Sequence, residues 1–128
     1  MVTCGVLSRG VSGPNTATAD DIRAMAKKSI VFALANPIPE IMPDEAKRGG
    51  AFVIATGRSD FPNQLNNSLV FPGIFRGALD RNVKKITQKI KLAAAKNLAG
   101  TIPNPKREKI LPDMFDKKVM LAVAKAVR

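Results

Sequence analysis

The chain contains no histidine, no tryptophan and no tyrosine, and a single cysteine, Cys4, in 128 residues. Without histidine the commonest transition-metal ligand is missing, and one cysteine cannot make a Cys/His zinc site within one chain. The same two absences remove hydroxyl-His-acid and Cys-His catalysis, because the general base is not there. One cysteine also excludes an internal disulfide, so a reducing cytoplasm is the expected compartment. No apolar run approaches the ~18–20 residues of a membrane span. The opening MVTCGVLSRGVSGPN lacks a basic start followed by a sustained apolar stretch, and no signal peptide is expected.

What is present suits one ordinary domain. Apolar residues make up 45% and charged residues 24%, the balance of a globular protein. With six phenylalanines as the sole aromatics, the core must rest on Ile, Leu, Val, Ala and Met. A chain of this size buries roughly two-thirds of its unfolded surface. The net charge of +11 is unevenly spread: residues 1–74 hold seven Lys/Arg and six Asp/Glu, residues 75–128 fourteen and four. Such a basic half attracts polyanions, yet Lys84, Lys85, Lys89, Lys91 and Lys96 have no aromatic between Phe75 and Phe115 on which bases would stack. A solvated helix face is the preferred reading.

Local signals alternate between strand and helix. Thr18 or Asp20 can cap a helix over about 19–28, with Asp20-Asp21 as capping acids. SIVFALA (29–35) is a continuous apolar run, the pattern of a strand covered on both faces, and Pro37 and Pro39 stop it. Pro43 opens a short helix with Asp44 and Glu45 in its first turn and Gly49 at its end. AFVIAT (51–56) is the next buried strand. This is the grammar of a parallel sheet, and ligands of open parallel sheets sit outside the carboxyl ends of the strands. Asn36 and the loop 57–67 are therefore the site candidates on topology. Beyond it the pattern is helical, with Phe71, Phe75, Ala78 and Leu79 on one face. Thr87 precedes an alanine-rich helix ending at Gly100, and Phe115, Val119, Leu121, Ala122 and Val123 point inward from a last helix over 114–128. Met25, Met42, Met114 and Met120 read as gap-fillers. The expected fold is α/β: a partial Rossmann-type parallel sheet of about three strands, then C-terminal helices.

The stretch from Arg58 to Asn67 carries Arg58, Asp60, Asn63, Gln64, Asn66 and Asn67. Carboxamides offer donors and acceptors without charge, which suits a ligand bearing hydroxyl, keto and carboxylate groups. The same residues have plainer uses. Asn before a helix is a common cap, Asn-Pro starts turns, and Arg58 can pair with Asp60 as readily as it can hold an anion. Cys4 has no neighbouring base to activate it.

Three stretches, IVFALANPIPEIMPDEA, GAFVIATGRSDFPNQLNNSLVFPGIFRGALD and ILPDMFDKKVMLAVAKAV, resemble the carboxyl-terminal half of the NAD-binding domain of malic enzymes, most closely the compact bacterial type. The resemblance runs from about Val11 to Arg128; charge and pattern divide the chain into a β/α part (1–74) and a basic helical part (75–128). Malic enzymes oxidatively decarboxylate malate to pyruvate and CO2 with NAD or NADP and Mg or Mn. By this resemblance Asn36 touches the nicotinamide ribose and malate, Asn67 with Asn66 holds a malate carboxylate, and Gly10-Val11-Ser12-Gly13 is the turn near the adenosine, with Ser12 and Gly13 toward the cofactor. The family's glycine-rich pyrophosphate loop, general-acid tyrosine, general-base lysine and metal-binding acids match nothing here, so the resemblance implies no catalytic residue and no metal ligand in this chain.

The resulting expectation is a malic-enzyme fragment, split-gene product or degenerate remnant, inactive alone; the segment MVTCGVLSR fits the family poorly. Malate and pyruvate are its small-molecule partners, with a homo-oligomer or a complementing amino-terminal polypeptide. Membrane and nucleic acid are disfavoured as partners. The alternatives from another class are a basic nucleic-acid-binding module or a helical interaction module over 71–128. The residue that selects NAD over NADP lies outside the matching segment.

Overall fold

The computed structural model describes the backbone of Val6–Arg9 and residues 13–128. These form two compact units, one of residues 1–65 with 107–109, the other of 66–106 with 110–128. Cys4, Gly10, Val11 and Ser12 lie outside the described residues.

The first unit is a parallel sheet with two crossover helices: β1 (Val6–Arg9), α1 (Ala19–Arg23), β2 (Ile30–Ala33), α2 (Pro43–Arg48) and β3 (Val53–Thr56). The sheet order is β1-β2-β3, with Val6 opposite Ile30 and Ile30 opposite Val53. Right-handed crossovers that advance one way across a sheet put their helices on one face. Accordingly Ile22 of α1 and Ala46 of α2 join one core with Ala17, Val31, Ala33 and Ile41, against which Ile54 also packs. The expectation of strands sealed on both faces holds for β3, where Val53, Ala55 and Thr56 are buried, and for one face only of β2. Val31 and Ala33 are buried, while Ile30 and Phe32, on the other side, are half-buried because no helix of this unit covers them.

Local chemistry sets the boundaries. Thr18 caps α1 in a reciprocal box with Asp21, and Pro43 supplies the fixed φ and absent N–H suited to the first turn of α2. Gly49 ends α2 where an added Cβ would stand 2.7 Å from the Ala19 carbonyl, so the two helices touch closely there. Gly50 follows with φ +92, a conformation only glycine adopts without strain.

The second unit is a helical cluster: a 3-10 turn over Asn67–Leu69, then α3 (Phe71–Asp80), α4 (Gln88–Ala99) and α5 (Lys117–Ala126). Its core is Ala94, Val123 and Ala126, flanked by Val70, Ile74, Ala93 and Leu98. Asn97 Nδ2 donates to the Ala122 carbonyl at 2.8 Å and Arg81 to the Ala124 carbonyl at 3.0 Å, tying α4 and the end of α3 to α5.

Two faces differ from the sequence reading. In α3 the inward positions are Gly73 and Gly77, while Phe71, Phe75 and Leu79 are exposed, Leu79 by 81%. Glycines let α3 approach α5 so closely that no phenylalanine fits between them. In α5 the buried line is Val119, Val123, Ala124 and Ala126, with Phe115 and Leu121 outside. Met25, Met42, Met114 and Met120 are half-buried, as gap-fillers should be.

Candidate functional site

Three loops leave the carboxyl ends of β1, β2 and β3, and backbone bonds stitch the first two together. Asn15 N donates to Pro39 O at 3.2 Å and Ala17 N to Glu40 O at 3.0 Å. Gly13, at φ +122, opens the first loop and accepts from Thr16 Oγ1. Adjacent Ser12, also expected near the cofactor, lies outside the described residues.

The second loop is organised by a residue that the pattern reading passed over. Glu40 is 2% exposed, and its Oε2 accepts from Ala35 N at 2.9 Å. That bond spans the turn carrying Asn36 and folds it back on the strand end, leaving Asn36 exposed. Its partner oxygen, Oε1, is buried with no hydrogen bond. A buried carboxyl is costly unless bonded, so the Ala35 N–H is the contact that holds Glu40 under the turn. The readable signal was the acid five residues after Ala35 in the NPIPE turn.

The third loop is clamped by Arg58. Its guanidinium makes a two-pronged bond to Asp60, Nε to Oδ1 at 2.8 Å and NH2 to Oδ2 at 2.6 Å. A third N–H reaches the Pro37 carbonyl at 3.1 Å, fastening this loop to the turn that carries Asn36. Hydrogen bonding from Arg58 holds the Asp60 carboxyl below its ordinary range, and the same bond raises the guanidinium. With the fork satisfied this way, Arg58 shapes the loop. Further on, Asn63 sits at φ +58, 7% exposed, its Nδ2 donating to Ile54 O at 2.9 Å and Arg107 O at 2.8 Å. Gln64 forms a parallel bridge with Thr56.

In the helical unit Asn66 caps the 3-10 turn, its Oδ1 accepting from Ser68 N at 2.9 Å. Asn67 is exposed, and neither its side chain nor that of Asn36 hydrogen-bonds to any described residue. The polar run from Arg58 to Asn67 thus divides by use. Arg58, Asp60, Asn63 and the Asn66 side-chain oxygen are engaged in the fold; the side-chain amides of Asn67 and of Asn36, one loop earlier, make no hydrogen bond to a described residue.

The implied groups fit unequally. The exposed Asn36 amide stands past the carboxyl end of a parallel strand, where ligands of open parallel sheets sit. No group of three or more acidic or cysteine side chains that could hold a metal ion occurs among the described residues.

A family model described as malic enzyme, NAD binding domain, matches residues 5–128. The bifunctional malic/malolactic enzyme of Bacillus subtilis is 50% identical over 120 residues, which is 92% of this chain and 29% of that protein. The NAD-dependent malic enzyme of Geobacillus stearothermophilus is 49% identical over 120 residues, 92% of this chain and 25% of its own length. Among solved structures, malic enzyme from Pyrococcus horikoshii superposes with a TM-score of 0.86 at 50% identity, covering 90% of this chain and 27% of that one. The Entamoeba histolytica malic enzyme gives 0.90 at 42% identity, over 98% and 26%. The chain therefore spans less than a third of the length of these relatives. Over that span, and with the parallel sheet and loops described above, it belongs to the malic enzyme NAD-binding domain family.

Proposed function

We propose that this chain supplies the nicotinamide- and malate-facing part of a malic enzyme, which converts malate to pyruvate and CO2 with NAD or NADP once the remaining machinery is provided. The observation that carries this reading is the uncommitted, exposed Asn36 amide, held at the carboxyl end of β2 by Glu40 and Arg58. A neutral amide there can donate to a carboxylate or hydroxyl and accept from a ribose hydroxyl, and it stays neutral while the ligand changes oxidation state. Asn67, also exposed and uncommitted, supplies donors of the kind that hold a malate carboxylate. Asn66, fixed as a cap, sets the turn in which Asn67 sits. The bound dinucleotide supplies the hydride acceptor; Mg or Mn, in the complete enzyme, is held by acids outside this chain. Binding groups without acid, base and metal give little rate, so the chain alone is inactive.

The exposed stripe Phe71, Phe75 and Leu79 supports association with a complementing polypeptide or a second copy, since apolar rows of this kind mark contact surfaces. No helix among the described residues is long and apolar enough to cross a membrane, and we place the chain in the cytoplasm on its cysteine content.

The test is malate-dependent reduction of NAD or NADP with Mn, by the chain alone and mixed with an amino-terminal malic enzyme half. Activity in the mixture only, lost in Asn36→Ala and Asn67→Ala, is expected. Activity of the chain alone would disprove the need for outside machinery, and silence of a folded mixture would disprove the enzymatic reading.

A further inference from the structure

A cavity of about 290 Å³ opens beside β3, lined by the start of that strand and by Phe61–Asn63 of the third loop. Phe52 and Ile54 form one wall, Phe61 and Asn63 another, and Lys47 and Arg107 stand over it. Its volume is near the lower end for small-molecule sites, which are apolar pockets with a few convergent polar groups.

The walls are built. The buried Asn63 amide joins two of them, donating to Ile54 O in the strand and to Arg107 O in the returning segment. Lys47 Nζ meets Glu108 Oε1 at 3.5 Å, and both side chains are more than half exposed, a loose pair of little energetic weight. Arg107 has no carboxylate within ion-pair distance among the described residues; its guanidinium lies 3.9 Å from the centre of the Phe52 ring. Two cations and one acid thus overhang an aromatic, aliphatic floor.

We infer that this cavity is a second ligand site, one that takes a small carboxylate with a planar apolar body. The body would lie along Ile54 and Phe61, and the carboxylate would meet the N–H edge of the Arg107 guanidinium, whose face covers Phe52, with Lys47 as a second charge. Occupancy is felt at the other end of β3 through one side chain. Phe61 lines the cavity and also carries the Arg58 guanidinium 5.3 Å from its ring centre, and Arg58 holds the Pro37 carbonyl beside Asn36. A ligand pressing on Phe61 therefore shifts the Arg58 clamp.

The experiment is a titration of the isotope-labelled full chain with benzoate, followed by backbone and side-chain amide resonances. Benzyl alcohol (ring without charge) and inorganic phosphate (charge without ring) run in parallel. Saturable benzoate shifts at Ala51, Phe52, Phe61 and Asn63, with a smaller response at Asn36, are expected. Each control ligand should bind about tenfold or more weakly, the loss of one favourable contact set. Arg107→Met, which keeps an apolar stem over Phe52, should weaken benzoate about tenfold, and Ala51→Leu should fill the cavity and abolish binding. Unsaturable shifts, shifts confined to the lysine-rich 84–96 region, or benzoate affinity unchanged in folded Arg107→Met and Ala51→Leu would each overturn the site. None of these readouts depends on malate turnover, so failure here is separate from failure of the enzymatic reading.

Discussion

Replacing Gly73 by alanine tests the packing that decides the helical unit. A Cβ built there stands 2.6 Å from Val123 Cβ, 2.7 Å from Val123 Cγ1 and 2.8 Å from the Met120 carbonyl oxygen. Ordinary carbon contacts are ~3.5–4.0 Å, so α3 and α5 must separate by about 1 Å. Neither a Cβ nor a backbone carbonyl can rotate aside, and Val123 is wholly buried. Overpacking of this kind costs about 1–3 kcal/mol, against which alanine in place of glycine returns about 1 kcal/mol of helix propensity. Three contacts inside 3 Å put the cost at the upper end of that range, so the net expectation is destabilisation of about 2 kcal/mol. Gly77→Ala meets the Ala124 carbonyl at 2.6 Å and should behave alike. Because one separation relieves both clashes, the double substitution should cost less than the sum. Urea unfolding followed by far-UV circular dichroism gives the total, and amide hydrogen exchange at Val123 and Ala124 localises it to α5. Removing the obstruction supplies the internal control: Gly73→Ala with Val123→Ala should lose at least about 1 kcal/mol less than the two changes summed. Unchanged or increased stability in Gly73→Ala, with exchange in α5 unaltered, would refute the close approach.

Asn63→Ala strands two carbonyl acceptors and forces alanine to φ +58, so a loss of about 2–4 kcal/mol in urea unfolding is expected; Asn63→Gly, free of the backbone strain, should be milder by about 1 kcal/mol. Asp60 should titrate below the ordinary carboxylate range by NMR and return to it in Arg58→Ala. Its folded value is the lower one, so the pair's contribution is present above the unfolded carboxylate value and disappears as pH falls through the folded value. The raised Arg58 stays protonated throughout that window. Thr18→Ala breaks the capping box of α1 and should cost about 1 kcal/mol, seen as faster amide exchange at Asp21.

Much of the first unit could be read from local chemistry. Pro37, Pro39, Pro43, Thr18 and Gly49 act at their own positions, through φ restriction, missing donors and side-chain oxygens, so their consequences need no distant partner. The apolar runs around Val31 and Ala55 and the connections between them sufficed for a parallel sheet with α/β order. The candidate amides were legible because Asn36 follows a strand and Asn67 precedes a helix. Their separation from Asn63 and Asn66 was not: the same residue type, within a few positions, serves as an uncommitted amide, a buried brace and a cap.

The helix faces show where local information ended. Periodicity along 71–80 records which side chains avoid water, and it selects Phe71, Phe75 and Leu79. Helix α5 selects Gly73 and Gly77 instead, because distance of approach depends on the absence of side chains, which hydrophobicity does not register. Phe115 lies before α5 and Leu121 off its buried line of Val119, Val123, Ala124 and Ala126, so hydrophobicity alone misplaced both. Glu40 escaped notice because a glutamate is ordinarily solvated; only the folded turn brings Ala35 N to its carboxylate. The sequence by itself determined element order, element ends and the chemical types offered to a ligand, since these follow from each residue and its near neighbours. The tertiary structure alone decided which faces meet, which polar groups are consumed in the meeting, and which remain free, since those depend on shapes and distances between segments far apart in the chain.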